Sequence, residues 1–140
     1  MDKSTPVSDI MTAHVLTVSP NDSMEKVQDI FEQHTIHHIP VVEHKKIAGI
    51  ISRGDYLKIQ HSFTIFNTQD SEAYNEIVMR SLLVKDVMTK QVATLFPDDT
   101  VEIAAGYFRE NLFHALPVID RDSNLVGIVT TYDLLNFAFK

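Results

Sequence analysis

The sequence predicts an α+β fold built from two copies of one strand-helix-strand-strand-helix unit. One observation is a doubled motif: Gly49-Ile50-Ile51-Ser52-Arg53-Gly54-Asp55 returns as Gly127-Ile128-Val129-Thr130-Thr131-Tyr132-Asp133. A second is that the repetition runs the length of the chain. Met11-Thr12 returns as Met88-Thr89, Pro20 as Pro97, Phe31 as Phe108, His37 as His114 and Pro40 as Pro117, all at a shift of 77. The shift becomes 78 from Gly49 to Gly127, after one inserted residue in a turn. A third is that each copy mixes a helical apolar period with short β-branched runs. An internal repeat is one supersecondary unit used twice, and helices mixed with strands in this order cover one face of a small sheet.

Residues 1 to 6 read as a loose tail, and Val7-Ser8-Asp9-Ile10-Met11-Thr12 opens the first unit. His14 to Val18 is a short strand candidate ended by Ser19-Pro20. Asp22 is placed to cap a helix, with Glu25 three residues on to reach back. Met24, Val27, Ile30 and Phe31 then give that helix one buried face. Ile36 to Val42 and Ile47 to Ile51 form a hairpin around Glu43-His44-Lys45-Lys46, and a helix of roughly Asp55 to Gln60 closes the unit. Residues 61 to 83 read as a linker: no period at first, then a helix from Ser71 to Leu83 with Ala73, Ile77, Val78 and Leu82 as its apolar face. From Val84-Lys85-Asp86-Val87-Met88-Thr89 the pattern restarts, so the expected organisation is one unit over 7–60, the linker over 61–83 and a second unit over 84–139.

Composition excludes several classes of function. The 140 residues contain no cysteine, which removes disulfides, thiolate chemistry and the usual zinc-finger spacings. The first residues have no apolar core of a secretory signal, and no run approaches the roughly 18 apolar residues of a membrane helix. The expectation is a soluble, cytoplasmic protein. A net charge of −7 argues against general nucleic-acid binding, and obliges any anionic ligand to be held by local geometry. There is no G-x-S-x-G elbow, Walker loop or H-E-x-x-H motif, and only four glycines, so catalysis is not expected. His34, His37 and His38 cluster in sequence, but neighbouring strand residues point to opposite faces, and no metal site is expected.

The doubled motif carries the chemistry. Ser52 and Thr130 stand where a strand hands over to a helix, and a hydroxyl there caps free N–H groups. Those N–H groups and the helix dipole also suit an anion, while a carboxylate such as Asp55 or Asp133 accepts two hydrogen bonds from a vicinal diol. Phosphate and ribose together suggest a nucleotide. The plainer reading is that the hydroxyls are caps only and the aspartates merely suit a first helical turn.

The ordered set of motifs resembles the cystathionine-β-synthase (CBS) domain, present as a tandem pair. The resemblance rests on Asp9 to Thr12, Asp22-Ser23-Met24, His37 to Val42 and Gly49 to Asp55, and in the second copy on Asp86 to Thr89, Asp99-Thr100-Val101, His114 to Ile119 and Gly127 to Asp133. It implies tandem β-α-β-β-α units paired pseudo-two-fold through their sheets, often assembled into homodimers, with clefts that hold AMP, ADP, ATP or S-adenosylmethionine. Carried over by position, Ser52, Asp55 and the segment Ile36, His37, His38 serve one site; Thr130, Asp133 and the segment Phe113, His114, Ala115 serve the other. Arg53, after the first hydroxyl, is expected to reach a phosphate, where the second copy has Thr131; with His38 it suits the first site to the more anionic ligand. The resulting expectation is a stand-alone, non-catalytic module, requiring no cofactor, that senses an adenine nucleotide and signals to a separate, unidentified protein. The competing reading is a ligand-free interaction or dimerisation module, with function in the linker helix and exposed apolar surface.

Overall fold

The apolar spacing of the first helix is realised as read. In the computed structural model, which describes residues 2–62 and 71–140, α1 (Met24–Gln33) buries Met24, Val27 and Phe31. It is followed by β1 (His38–Glu43), β2 (Lys46–Ser52) and α2 (Arg53–Ser62). Then come α3 (Ser71–Ser81), a single turn α4 (Val84–Val87), α5 (Val101–Arg109), β3 (Ala115–Ile119), β4 (Leu125–Thr130) and α6 (Thr131–Ala138). The fold is α+β. β1 pairs with β2, and β3 pairs antiparallel with β4, with Leu116 opposite Val129 and Pro117 opposite Ile128. The β1–β2 loop is two residues, His44 and Lys45, at φ 53° and 69°. Such left-handed pairs match the twist of the strands they join.

The expected opening strand, His14 to Val18, contracts to one bridge. The Val18 N–H donates to Pro40 O at 3.2 Å and Val18 O accepts from Val42 N–H at 2.8 Å. Leu95 repeats this on Pro117 and Ile119 at 2.9 and 2.8 Å. The next donor of each ladder falls two residues on, at Pro20 and Pro97, and proline has no N–H to give. The expected capping box on α1 is also absent. Ser23 is the N-cap and makes no side-chain cap bond. Asp22 Oδ2 instead accepts from Ser19 N–H at 2.7 Å, as Asp99 Oδ2 does from Phe96 N–H at 2.8 Å, so both aspartates close the turn around the proline. Glu25 pairs with Arg80 at 2.9 Å.

Linker residues 63–70 lie outside the described residues. The following helix forms over Ser71–Ser81, but its buried face is not the expected one. Ala73 and Ile77 are exposed and Met79 is buried, with Val78 and Leu82 partly so. Met79 joins Met24, Val27, Phe31 and Ile51 in one hydrophobic cluster. The face turned inward is therefore Asn75, Val78, Met79 and Leu82, an i, i+3, i+4, i+7 set.

Two compact units form, and neither is a single sequence repeat. One holds Met1–Val15, His44–Ile47 and Gln91–Lys140; the other holds Leu16–Glu43 and Ala48–Lys90. Each repeat contributes its opening segment to the unit that carries the other repeat's helices. In the first of these units, Val7 N–H donates to Asp99 O at 2.8 Å, and Thr12 exchanges two backbone hydrogen bonds with Ile128 at 2.9 and 3.0 Å. In the other, Val84 N–H donates to Asp22 O at 2.8 Å and Thr89 exchanges two bonds with Ile50 at 2.9 and 3.0 Å. The motif glycines permit this. A Cβ on Gly49 would meet Thr89 O at 2.7 Å and Met88 Sδ at 2.8 Å; one on Gly127 would meet Met11 Sδ at 2.5 Å and Thr12 O at 3.0 Å.

Candidate functional site

The two strand-to-helix junctions are built alike. β2 delivers Ser52 to the start of α2, where Asp55 N–H donates to Ser52 Oγ at 3.0 Å and Ser52 N–H donates to Asp55 Oδ2 at 3.3 Å. β4 delivers Thr130 to α6, where Asp133 N–H donates to Thr130 Oγ1 at 3.2 Å and Thr130 N–H to Asp133 Oδ2 at 2.9 Å. Each is a reciprocal capping box, with a carboxylate in the first turn, where the helix dipole favours negative charge. The cap occupies Oδ2 only. Among the described residues, Oδ1 of Asp55 and Oδ1 of Asp133 make no hydrogen bond, so one oxygen of each partly buried carboxylate keeps its acceptor capacity.

The hydroxyls differ. Thr130 Oγ1–H donates to Asp133 Oδ2 at 3.1 Å, whereas Ser52 Oγ–H has no such bond among the described residues. Ser52 thus retains a donor for a ligand oxygen and Thr130 does not.

The segment before each Pro-Val strand is brought to its own junction through the backbone. Arg53 N–H donates to His37 O at 2.7 Å, and Thr131 N–H to His114 O at 3.2 Å. Both histidine side chains are exposed, and His38 is half-buried. Ile36 packs at the edge of one hydrophobic cluster and Phe113 at the edge of the other, where its ring meets Tyr107 edge-on at 6.2 Å. Ala115 is buried. Ile36, His37, Ser52, Arg53 and Asp55 therefore converge in one unit, and Phe113, His114, Thr130, Thr131 and Asp133 in the other.

Arg53 is used otherwise than the sequence suggests. Its guanidinium donates to Phe31 O at 2.7 Å, His34 O at 3.3 Å and Ile36 O at 3.4 Å, and lies 5.3 Å from the Phe31 ring centroid. A cation at the C-terminus of α1 satisfies carbonyls that the helix cannot. This anchorage competes with a reach toward phosphate. Tyr56 packs on the same ring at 5.7 Å, and burial, with Glu32 next, pushes its phenol above the ordinary tyrosine range. Among the described residues no group of three or more His, Asp or Glu side chains gathers as a metal site.

The position of Thr12 and Thr89 is what the sequence left unread. Each pairs two residues ahead of a motif hydroxyl, Thr89 at Ile50 and Thr12 at Ile128. The only signal was that Met-Thr and Gly-Ile both recur, at shifts of 77 and 78.

Comparison with known proteins agrees with this architecture. The family profile of the CBS domain matches residues 7–62 and 84–140. An inosine-5'-monophosphate dehydrogenase of Korarchaeum cryptofilum is 32% identical over 86% of this chain, which spans 21% of that enzyme. The chain spans about a fifth to a quarter of the dehydrogenases and homoserine O-acetyltransferases it matches. CBSX2 of Arabidopsis thaliana, solved in complex with AMP, superposes with a TM-score of 0.77 at 25% identity over 96% of both chains. The CBS domain pair of protein MJ0100, solved with 5'-methylthioadenosine and S-adenosylmethionine, does so at 0.77 and 27% identity, again over 96% of both.

Proposed function

The chain belongs to the CBS domain family, with two matches in tandem, and from that premise we propose that it is a non-catalytic regulatory module that binds an adenosine-containing ligand. The observation that carries the reading is the twice-built junction, in which a helix-capping aspartate keeps Oδ1 open toward a diol. Ser52, Asp55 and the Ile36–His38 segment would hold one ligand; Thr130, Asp133 and the Phe113–Ala115 segment another. Their support is the pair of relatives solved with AMP and with S-adenosylmethionine. The candidates are AMP, ADP, ATP and S-adenosylmethionine. With Arg53 anchored on α1, preference of the first site for the more anionic ligand rests on the Ser52 hydroxyl and His38 rather than on a free guanidinium.

The proposed module acts in the cytoplasm as a homodimer, without membrane or nucleic-acid partners, and reports occupancy to a separate protein. Ligand leverage equals its difference in affinity between the states it selects. No helix among the described residues is long and apolar enough to cross a membrane. A ligand-free interaction module is the second reading, favoured by one fact: the capping boxes give both aspartates a structural use without a ligand.

Isothermal titration calorimetry decides between them. AMP, ATP and S-adenosylmethionine are titrated into the wild-type protein and into Asp55→Asn and Asp133→Asn. The nucleotide reading expects each variant to lose the heat of one site. Absence of binding by any adenosine compound to the wild-type chain overturns it in favour of the interaction module.

A further inference from the structure

The connection from α1 to β1 carries Ile36 and His37, two of the residues assigned to the first site, and it is tied down from α2. Arg53 Nη2 donates to Phe31 O at 2.7 Å and to His34 O at 3.3 Å, and Nε donates to Ile36 O at 3.4 Å. The Arg53 backbone N–H adds a bond to His37 O at 2.7 Å. Four hydrogen bonds from one residue thus span the whole connection, all within one compact unit. A helix leaves its last carbonyls without partners, and its C-terminal end favours a cation. The guanidinium also lies 5.3 Å from the centroid of the Phe31 ring, which Tyr56 meets from its own side at 5.7 Å.

The second repeat closes the same connection without a guanidinium. There α5 ends through Asn111, at φ 58°, whose N–H donates to Phe108 O at 3.0 Å. Phe113 sets its ring edge-on to Tyr107 at 6.2 Å. Thr131 stands in the place of Arg53 and gives its backbone N–H to His114 O at 3.2 Å. The second connection is held by its own turn and its own ring. The first leaves α1 extended at His34, at φ −134° and ψ 147°, and is held by Arg53.

Two uses of Arg53 differ in how they depend on the ligand. Nη1 makes no hydrogen bond among the described residues. A guanidinium that held phosphate on Nη1 would matter more with each phosphate added. A guanidinium that holds Ile36 and His37 in place matters equally to every ligand that shares the adenosine part. The bonds favour the second use, because moving the side chain toward a phosphate would strip three carbonyls of their donors.

We infer that Arg53 is a positioning residue of the first site: it sets the Ile36–His37 segment beside the Ser52–Asp55 junction and so governs affinity for the adenosine part of a ligand, not for its phosphates. This rests on the adenosine-ligand reading of the site and names what presets its affinity in one repeat alone.

The test is calorimetric titration of adenosine, AMP and ATP into the full chain carrying Asp133→Asn, which reads the first site alone, beside the same chain with Arg53→Met or Arg53→Lys. Arg53→Met keeps an apolar stem over Phe31 without donors. Arg53→Lys keeps the charge but replaces the planar fork by a single ammonium. Ordering even one freed residue at the moment of binding costs roughly a factor of ten in affinity. Both variants are therefore expected to raise the dissociation constant at least about tenfold, by the same factor for all three ligands. The second site, read in an Asp55→Asn chain, keeps its affinity. In the ligand-free protein, amide exchange is expected to quicken at Thr35 to His37 and to stay unchanged at buried Val41, which also checks that the variant is folded. If Arg53→Met does not fold, Arg53→Lys alone decides, since its charge can serve a phosphate but not a fork. A loss that grows from adenosine to ATP and is mended by Arg53→Lys makes Arg53 a phosphate ligand and overturns the positioning role. Unchanged affinity for adenosine overturns it too, while the adenosine-ligand reading stands. A chain with Arg53 intact that binds none of the three at either site refutes that reading itself, and this role with it.

Discussion

Glycine is kept at two motif positions by what lies opposite it, since neither Gly49 nor Gly127 has a positive φ. The two differ in what a Cβ would strike. At Gly49 the nearest atom is the backbone oxygen of Thr89, at 2.7 Å; at Gly127 it is the Met11 sulfur, at 2.5 Å, with the Thr12 oxygen at 3.0 Å. A methionine thioether can swing aside, whereas the carbonyl of a residue held by two backbone hydrogen bonds to Ile50 cannot. Both alanine substitutions are expected to destabilise within the roughly 1–3 kcal/mol of overpacking. Gly49→Ala should stand at the upper end and Gly127→Ala at the lower. Urea midpoints at unchanged slope measure the difference, and equal midpoints for the two variants would show that the Thr89 contact yields as readily as a side chain. The residue scale is also where type and contact diverge. Arg53 looked like a phosphate ligand because it follows a hydroxyl, but its three acceptors lie 17 to 22 residues earlier, at the end of α1. No local spacing encodes that.

At the scale of the element, α3 separates periodicity from burial. Its apolar residues suggest one face through Ile77, yet Ile77 is 59% exposed and Met79 is 1% exposed. Met79→Ala is therefore expected to cost about 2–5 kcal/mol, the range for large-to-small core substitutions. Ile77→Ala should stay within about 0.5 kcal/mol, as for an ordinary surface site. Thermal or urea denaturation of both variants measures this, and a larger loss at Ile77 would mean that the expected face is the packed one. α1, both hairpins and the two hydroxyl caps were legible because their determinants lie within a few residues: Met24, Val27 and Phe31 on one stripe, Ser52 and Thr130 each where a strand hands over to a helix. The opening strand was not, since its length is set by where Pro20 and Pro97 interrupt a ladder whose partner strand is more than 20 residues away. The α3 face escaped for a similar reason. The helix has no counterpart in the second repeat, so no register fixed which side met Phe31 and Val27.

For the molecule as a whole, the repeat seen in the sequence is not the unit that packs. The unit carrying β3, β4, α5 and α6 also contains Met1–Val15. Val7 has no exposed surface and joins Leu95, Leu116 and Val129 in its core, with Ile10 and Met11 against them. The same segment gives Val7 N–H to Asp99 O at 2.8 Å and pairs Thr12 with Ile128. Fully burying one such aliphatic side chain contributes about 1.5–3 kcal/mol, and each backbone hydrogen bond about 0.5–1.5 kcal/mol net. Together these amount to several kcal/mol, a large share of the roughly 5–15 kcal/mol that holds a domain folded. A chain starting at Leu16 keeps the whole second repeat, yet it is expected to lose hydrogen-exchange protection at Leu116, Val118 and Val129. A peptide of residues 2–15 added in trans should restore that protection in proportion to its occupancy, because a ligand that binds only the folded state stabilises it by mass action. Full protection in the shortened chain would show that the second repeat is self-sufficient and that the opening segment merely decorates it. Loss of protection reversed by the peptide would establish that the first repeat's opening residues belong, energetically, to the unit carrying the second repeat's helices.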